Sequence, residues 1–255
     1  MSGKTRLVQV VVLRKTKLGE SDLILTLLAS DGSQIRAVAK GARKPQSSFS
    51  ARLELYCVAE VLLAEGKSLY IVKEARLVKP HAKLHGSVEH AAAAAPVAEL
   101  LCHISQENLP VPRLFEMVSV GLTCLNDVDA QKAPSICAAC LEKVLAFSGL
   151  RPNFTHCVIC GAPITPTTSS SVLLSIDEGG VVCGACRHHA ECVNVGQGVV
   201  AWSQFLLMST FACVSDSSVS QNDVFEILHL LQLLIKRHVG CSLKSLNFLF
   251  TCGLF

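Results

Sequence analysis

The chain has 255 residues, of which 50% are hydrophobic, 5% aromatic and 17% charged, with a formal net charge of +3. This length can bury a large core and favours two or three domains, whereas no apolar run approaches membrane-spanning length and the N-terminus lacks the apolar segment of a secretion signal. We therefore expect a cytoplasmic protein with no membrane contact. Its 13 cysteines, an odd number, fit metal ligands and buried thiols better than a disulfide framework.

The charge is unevenly distributed along the chain. Residues 1–80 contain 14 Lys or Arg against 7 Asp or Glu, a net charge of +7, whereas residues 81–255 carry a net charge of −4. An excess of positive charge in one segment is typical of a module that faces a polyanion such as nucleic acid. A basic face that is merely solvated would have the same composition, so this alternative stays open.

Residues 1–80 predict a five-stranded barrel of the OB-fold type. The first four segments are aliphatic or alternate apolar with polar residues, and an Asp31-Gly32 turn separates the second from the third. The predicted strands lie at residues 7–13, 22–28, 34–40, within 53–65, and at 69–72. Short strands joined mainly by turns are the content of a small closed barrel.

Beyond Pro80 the pattern becomes helical. The predicted helices cover residues 88–103, 110–125, 134–147, 198–212 and 221–238. Pro96 lies inside the first of them and is expected to kink or split it. The chain is thus predicted to be an α+β protein with a helical domain at residues 81–153 and 191–255, interrupted by a separate module at 154–190.

Two CxxC pairs define that module. Cys157 with Cys160 and Cys183 with Cys186 are 22 residues apart, and two such pairs can complete a tetrahedral sulfur shell around Zn²⁺. Four sulfur ligands leave no open coordination position, so the metal is expected to stabilise the fold rather than to catalyse a reaction. The intervening Ser/Thr-rich stretch at 165–171 is predicted to be a flexible tip.

Other interpretations of the cysteines are weaker. A third CxxC pair, Cys137 and Cys140, lies within apolar residues at helical spacing, which indicates core packing. A zinc deaminase requires an HxE motif upstream of its Pro-Cys-x-x-Cys, but here the HxE at 189–191 follows the second pair and Val182 occupies the proline position.

The segment 39–52 is the strongest candidate for nucleic-acid binding. Phe49 offers a ring for base stacking, and Gly41 and Pro45 expose the backbone around the basic residues. Phosphate-neutralising cations interleaved with an aromatic ring hold single strands without reading sequence. The candidate cations are Arg36, Lys40, Arg43, Lys44 and Arg52. Phe49 could equally pack into the barrel. The sequence lacks HExxH, GxSxG and complete P-loop motifs, so no enzyme is expected.

Several stretches together resemble the bacterial recombination mediator family RecO. The similarity extends in order over nearly the whole chain, which is more specific than any one motif. It comprises Glu20-Ser-Asp-Leu-Ile24, Ala39-Lys-Gly-Ala-Arg43 followed by Ser47 and Phe49, Leu150-Arg-Pro-Asn before Cys157-x-x-Cys160-Gly, and Leu243-Lys-Ser245 before Phe248-Leu249.

The resemblance implies an N-terminal OB-fold, a helical domain and an inserted zinc module in a nucleoid-associated cytoplasmic protein. It further implies binding of single- and double-stranded DNA, annealing of complementary strands, and cooperation with RecR and single-strand-binding protein in loading RecA during recombinational repair. We hypothesise that the acidic tail of single-strand-binding protein meets one or more helical-domain cations among Arg113, Lys132, Lys143 and Arg151; the alternative, that these are solvated surface charges, stays open. A zinc-ribbon RNA-binding protein and an adaptor that acts through its helices remain the alternatives.

Overall fold

The computed structural model describes residues 5–164 and 170–255. The chain forms two compact units, Met1–Asp127 and Val128–Phe255. The first unit contains the barrel together with three helices. The predicted division into a barrel, a helical domain and a metal module, with boundaries at residues 80, 153 and 190, stays a prediction. Most of the predicted Ser/Thr tip, residues 165–169, lies outside the described residues.

A closed five-stranded barrel forms most of the first unit, as predicted. Its strands pair in the order β1-β2-β3-β5-β4, and β4 returns to β1 to complete the ring. All neighbouring pairs are antiparallel except β3 with β5. The strands are β1 (Thr5–Leu18), β2 (Asp22–Ala29), β3 (Gln34–Ala39), β4 (Val58–Ala64) and β5 (Tyr70–Lys79).

Strand β1 is twice as long as its apolar run predicted. Its first half pairs with β4 and its second half with β2, and the register of the β2 pairing shifts between Val12 and Arg14. Such an irregularity bends a strand, which lets one strand serve both sides of a barrel. The polar second half escaped prediction because its pairing partners, not its own hydrophobicity, hold it in the sheet.

The barrel interior consists almost entirely of aliphatic side chains. Val10, Val12, Leu25 and Leu27 are completely buried, and the inward positions alternate with outward ones along each strand. Small residues such as Ala37 line the same core and let the strands approach closely. The scarcity of aromatic residues is therefore a property of a narrow barrel core.

Three helices follow the barrel in the same unit: α1 (Lys83–Gly86), α2 (Val88–Ile104) and α3 (Leu114–Asp127). Ser87 caps α2 by accepting a hydrogen bond from the backbone of His90. Pro96 does not split α2, which runs unbroken for 17 residues. Pro96 and the alanines around it are buried, so packing offsets the missing backbone hydrogen bond.

The second unit contains five α-helices and a three-stranded sheet of order β7-β6-β8 among its described residues. The almost wholly buried α4 packs against α5, α6 and α7. The predicted helix at 198–212 ends at Met208, because Thr210 caps a separate helix. The elements are α4 (Ala133–Phe147), β6 (Ser171–Ser175), β7 (Gly180–Val182), β8 (Val193–Gly196), α5 (Gln197–Met208), α6 (Phe211–Asp216), α7 (Gln221–His238) and α8 (Lys244–Thr251).

Within residues 5–164 and 170–255, no helix has both the length and the apolar composition needed to cross a membrane.

Candidate nucleic-acid interface and metal centre

Asp22, at the start of β2, anchors the segment at residues 39–52, which we call the basic loop. Its carboxylate accepts a hydrogen bond of 2.7 Å from the backbone N–H of Gly41, whose φ is +66°. That contact, followed by the hydroxyl of Ser21, lowers the pKa of Asp22 from its ordinary value. The carboxylate of Asp22 therefore holds the basic loop through the backbone of Gly41.

Two of the predicted DNA-binding arginines also hold the loop in place. The Arg43 guanidinium donates to the carbonyls of Gly19 at 3.0 Å and Glu20 at 2.9 Å, in the turn between β1 and β2. Arg52 donates to the carbonyl of Ala75 at 3.3 Å. These arginines fix the loop against the barrel and keep their charge at its surface.

A cavity of about 540 Å³ lies between the basic loop and strands β1 and β2. We call it the basic cavity. Its floor is apolar, whereas four cations and one carboxylate stand among its lining residues. The apolar members include Leu23, Leu25, Phe49 and Leu53, and the charged members are Lys15, Lys17, Arg43, Lys44 and Glu54. Lys15 Nζ lies 2.8 Å from Glu54 Oε1.

The predicted DNA-binding residues do not form a single cluster. Arg43, Lys44 and Phe49 line the basic cavity, and the half-buried Phe49 also packs against the barrel core. Arg52 lines a second cavity together with Lys73 and Arg76. Arg36 lines a third cavity together with Arg6 and Tyr70. Lys40 is exposed beside the Asp22 carboxylate, whose pKa it helps to lower.

Lys15 and Lys17 line the basic cavity but were missed in the sequence. They are two residues apart on β1, and a strand directs alternate side chains to the same face. Their spacing indicates a shared face of a strand. It did not lead to a prediction, because the predicted strand ended at residue 13, before either lysine.

The four predicted cysteines converge on one point. The Sγ atoms of Cys157, Cys160, Cys183 and Cys186 all lie within 4.8 Å of one another, and those of Cys160 and Cys183 are 3.7 Å apart. Tetrahedral zinc with Zn–S bonds of about 2.3 Å separates its sulfur ligands by about 3.8 Å. The arrangement can therefore hold a metal ion in an all-sulfur shell.

Local backbone geometry forms the two halves of this metal centre. Gly161, with a φ of +74°, donates to the carbonyl of Cys157 at 2.8 Å and closes the first turn. Strand β7 leads directly into Cys183, and a 3₁₀ helix at Gly184–His189 places Cys186 one turn later. Glycine is favoured after the first pair because its turn requires a positive φ.

The thiols of the centre differ in acidity. Burial raises the pKa of Cys157, but backbone N–H groups of Cys183, Cys160 and Ile159 outweigh it and lower the pKa to about 6. Contacts with the thiols of Cys183 and Cys160, followed by burial, raise the pKa of Cys186 to about 12. A bound cation supplies the charge that lets all four become thiolates.

The other CxxC pair is part of the helical core, as predicted. Cys137 and Cys140 are completely buried on α4, and burial raises the pKa of Cys137 well above its ordinary value. A thiol in such surroundings is neither a ready nucleophile nor a metal ligand.

Two family models cover most of the chain. The model described as Recombination protein O N terminal matches residues 4–81, and the one described as Recombination protein O C terminal matches residues 85–247. The chain belongs to the RecO family. This family is one of DNA repair and recombination proteins.

Curated members of the RecO family align with most of the chain. DNA repair protein RecO of Dehalococcoides mccartyi strain CBDB1 is 30% identical over 238 residues, which cover 93% of this chain and 90% of that protein. The RecO protein of Frankia casuarinae is 36% identical over 211 residues, covering 81% and 84%. That of Bifidobacterium adolescentis is 36% identical over 180 residues, covering 69% and 71%.

In this RecO-family chain, three of the cations considered for tail binding make contacts within the second unit. Lys143 Nζ donates to the carbonyls of Leu207 and Ser209, each at 2.7 Å, and thereby caps the C-terminal end of α5. Burial lowers the pKa of Lys143. Lys132 donates to a backbone carbonyl and Arg151 to a methionine sulfur, whereas Arg113 belongs to the first unit.

Proposed function

We propose that the chain is a DNA-binding recombination mediator that binds single- and double-stranded DNA through the basic cavity and its loop. The observation that carries this proposal is the gathering of Lys15, Lys17, Arg43 and Lys44 around one cavity of the barrel. Several fixed cations on one face neutralise successive phosphates and release counterions, which favours binding without dependence on sequence. Family membership supports the assignment to repair and recombination.

The same surface is suited to strand annealing. Two complementary strands repel each other through their phosphates, and a cationic surface that holds one strand lowers the repulsion that the second must overcome. Annealing and mediation of this kind need no catalytic residue. In this proposal, the chain also cooperates with RecR and with single-strand-binding protein, so that RecA can load onto the coated strand.

The tail of single-strand-binding protein would bind the helices of the second unit. Lys132 and Arg151 are exposed, whereas Lys143 is half-buried and its ammonium group is engaged by the carbonyls at the end of α5. The exposed pair are therefore the better candidates for pairing with acidic residues. Zn²⁺ bound by the four cysteines would stabilise this unit without taking part in DNA chemistry.

A strand-annealing assay tests the proposed function. Two complementary oligonucleotides, one labelled, are mixed with the protein in the presence and absence of single-strand-binding protein. We expect faster annealing in both cases, because phosphate neutralisation and displacement of the coating protein both assist pairing. Annealing no faster than the spontaneous rate would contradict the proposal, and markedly tighter binding to RNA than to DNA of the same sequence would favour an RNA-binding protein.

A further inference from the structure

The floor of the basic cavity is more apolar than phosphate binding requires. Leu23 and Phe49 are only partly buried by the barrel core, so part of each faces the cavity beneath the lysines. A volume of about 540 Å³ falls within the range of about 300–1,000 Å³ that is typical of sites for small organic ligands. Apolar walls with a few convergent polar groups are also typical of such sites.

We propose that one base of a bound single strand leaves its stack and enters the basic cavity, where it packs on Phe49 and Leu23. Its flanking phosphates lie against Lys17 and Lys44, which are both exposed at the cavity. The inference rests on the proposed function, since it concerns the same surface. It adds a contact that phosphate neutralisation alone does not provide.

The charges that line the basic cavity favour a nucleic-acid strand as its ligand. The cavity has four cations and one carboxylate, which suits a polyanion that also carries a flat apolar group. A cavity on another part of the barrel has three cations, Arg6, Arg36 and Lys67, but balances them with Asp31, Glu65 and Glu107. That balance offers no comparable attraction for a nucleotide.

Glu54 gives the cavity a preference among bases. Lys15 engages Oε1 of its carboxylate at 2.8 Å, and Oε2 can accept a hydrogen bond from a group inside the cavity. Cytosine and adenine present an exocyclic amino donor, whereas the only base donor of thymine, N3–H, stands between two carbonyl oxygens that a carboxylate repels. Oligomers of dC or dA should therefore bind more tightly than oligomers of dT of the same length.

The first test needs no protein variant. Affinities of the full chain are measured for a dC oligomer and for an abasic oligomer with the same number of phosphates. We expect the dC oligomer to bind about tenfold more tightly, since contact with a base adds to phosphate binding. Equal affinities would overturn the base site and leave the proposed DNA binding intact, whereas no binding to either oligomer would overturn both.

A second test fills the cavity without changing charge. Ala42→Leu adds aliphatic volume at a lining position, and Ala51→Leu makes the same change at an exposed loop position that is not among the lining residues. We expect Ala42→Leu alone to reduce the preference for dC over the abasic oligomer. If a folded Ala42→Leu protein, checked by thermal unfolding, keeps the full preference, the base binds elsewhere.

A third test addresses the carboxylate. Glu54→Gln removes the repulsion of thymine, and Glu60→Gln is the matched control, because Glu60 pairs with Arg76 and is not among the lining residues. We expect the ratio of dC to dT affinity, roughly three- to tenfold in the unmodified protein, to fall toward one in Glu54→Gln alone. A ratio of one in the unmodified protein, or an unchanged ratio in Glu54→Gln, would overturn the assigned role of Glu54.

Discussion

His81 is a buried ionisable residue that links the barrel to the helices of the first unit. Its Nδ1 lies 2.8 Å from the carbonyl of Tyr56 and its Nε2 lies 3.0 Å from the hydroxyl of Thr123 on α3. Both His81 and Tyr56 have positive φ, an uncommon conformation for residues other than glycine. The imidazole thus holds two sharp bends of the backbone together.

Acid should weaken the first unit through His81. Burial lowers its pKa, and Lys79 and His85 add to that effect, although the Tyr56 carbonyl and Asp127 oppose it. Because the unfolded chain takes up the proton near a pH of about 6.5 and the folded chain only at lower pH, the stabilisation is complete above that value and is lost as the pH falls below it. Urea unfolding at pH 8 and pH 5 measures the loss.

The control for that measurement is His81→Asn, since asparagine tolerates positive φ and does not titrate in this range. We expect a smaller difference in unfolding free energy between the two pH values in this variant than in the unmodified protein. The same change at the exposed His103, which is not among the groups that shift the pKa of His81, should leave the difference in place. An equal loss in unmodified and His81→Asn proteins would show that other groups cause it.

The metal centre should depend on each of its sulfur ligands. Cys157→Ala removes one of the four proposed ligands, so we expect the protein to lose the Zn²⁺ proposed to occupy the centre, together with several kcal/mol of unfolding free energy, because metal binding is coupled to folding. Cys137→Ala is the matched control from the buried pair on α4 and should retain one metal per chain. Metal analysis and chemical unfolding measure both effects. Zinc lost from Cys137→Ala but kept by Cys157→Ala would refute the ligand assignment.

Hydrogen bonds join the basic loop to the turn between β1 and β2 and to the start of β2. Asp22 holds the backbone of Gly41, and Arg43 holds the carbonyls of the turn, so neither segment can shift alone. The backbone that carries Lys44 is consequently held in place. A loop whose backbone is already fixed loses less conformational entropy on binding a phosphate than a flexible loop does.

This arrangement makes the lysines, rather than the arginines, the main phosphate contacts to test. Changing Lys15, Lys17 and Lys44 to alanine should reduce the slope of log affinity against log salt for single strands by roughly 0.7 per lost contact. A control variant loses three exposed lysines that line none of the three cavities described above, Lys83, Lys236 and Lys244. Fluorescence anisotropy at several salt concentrations gives the slopes. A larger decrease of the slope in the control variant would show that DNA binds to another face of the protein.

Elements were predictable where their own side chains determine them. All five barrel strands could be predicted because each contains apolar residues that face one core, whereas the polar half of β1 depends on partners distant in sequence. Strands β6, β7 and β8 are only three to five residues long. They were not predicted, because strands this short also depend on their pairing partners. Pro96 does not split α2, because its burial in the packed helix compensates for the local preference against an interior proline.

At the scale of the whole molecule, the two sites differed in how much the sequence revealed. Each half of the candidate metal centre lies within four consecutive residues, so spacing alone predicted the four cysteines whose sulfur atoms lie together. The basic cavity combines β1, β2 and a loop, and only three of the six predicted binding residues line it. A site assembled from separate strands requires knowledge of the barrel register, which spacing does not contain.

Closure of the barrel limits how the first unit can meet an extended chain. Strands β3 and β5 complete the ring through two residue pairs, Ala37 with Tyr70 and Val38 with Ile71, whereas the other neighbouring strands pair over longer stretches. Beyond this short seam, the stretch of β5 from Val72 to Lys79 pairs with β4 alone among the described strands. An incoming peptide that extends the sheet would add to the other edge of that stretch, whereas a partner that meets strands paired on both sides must bind through side chains.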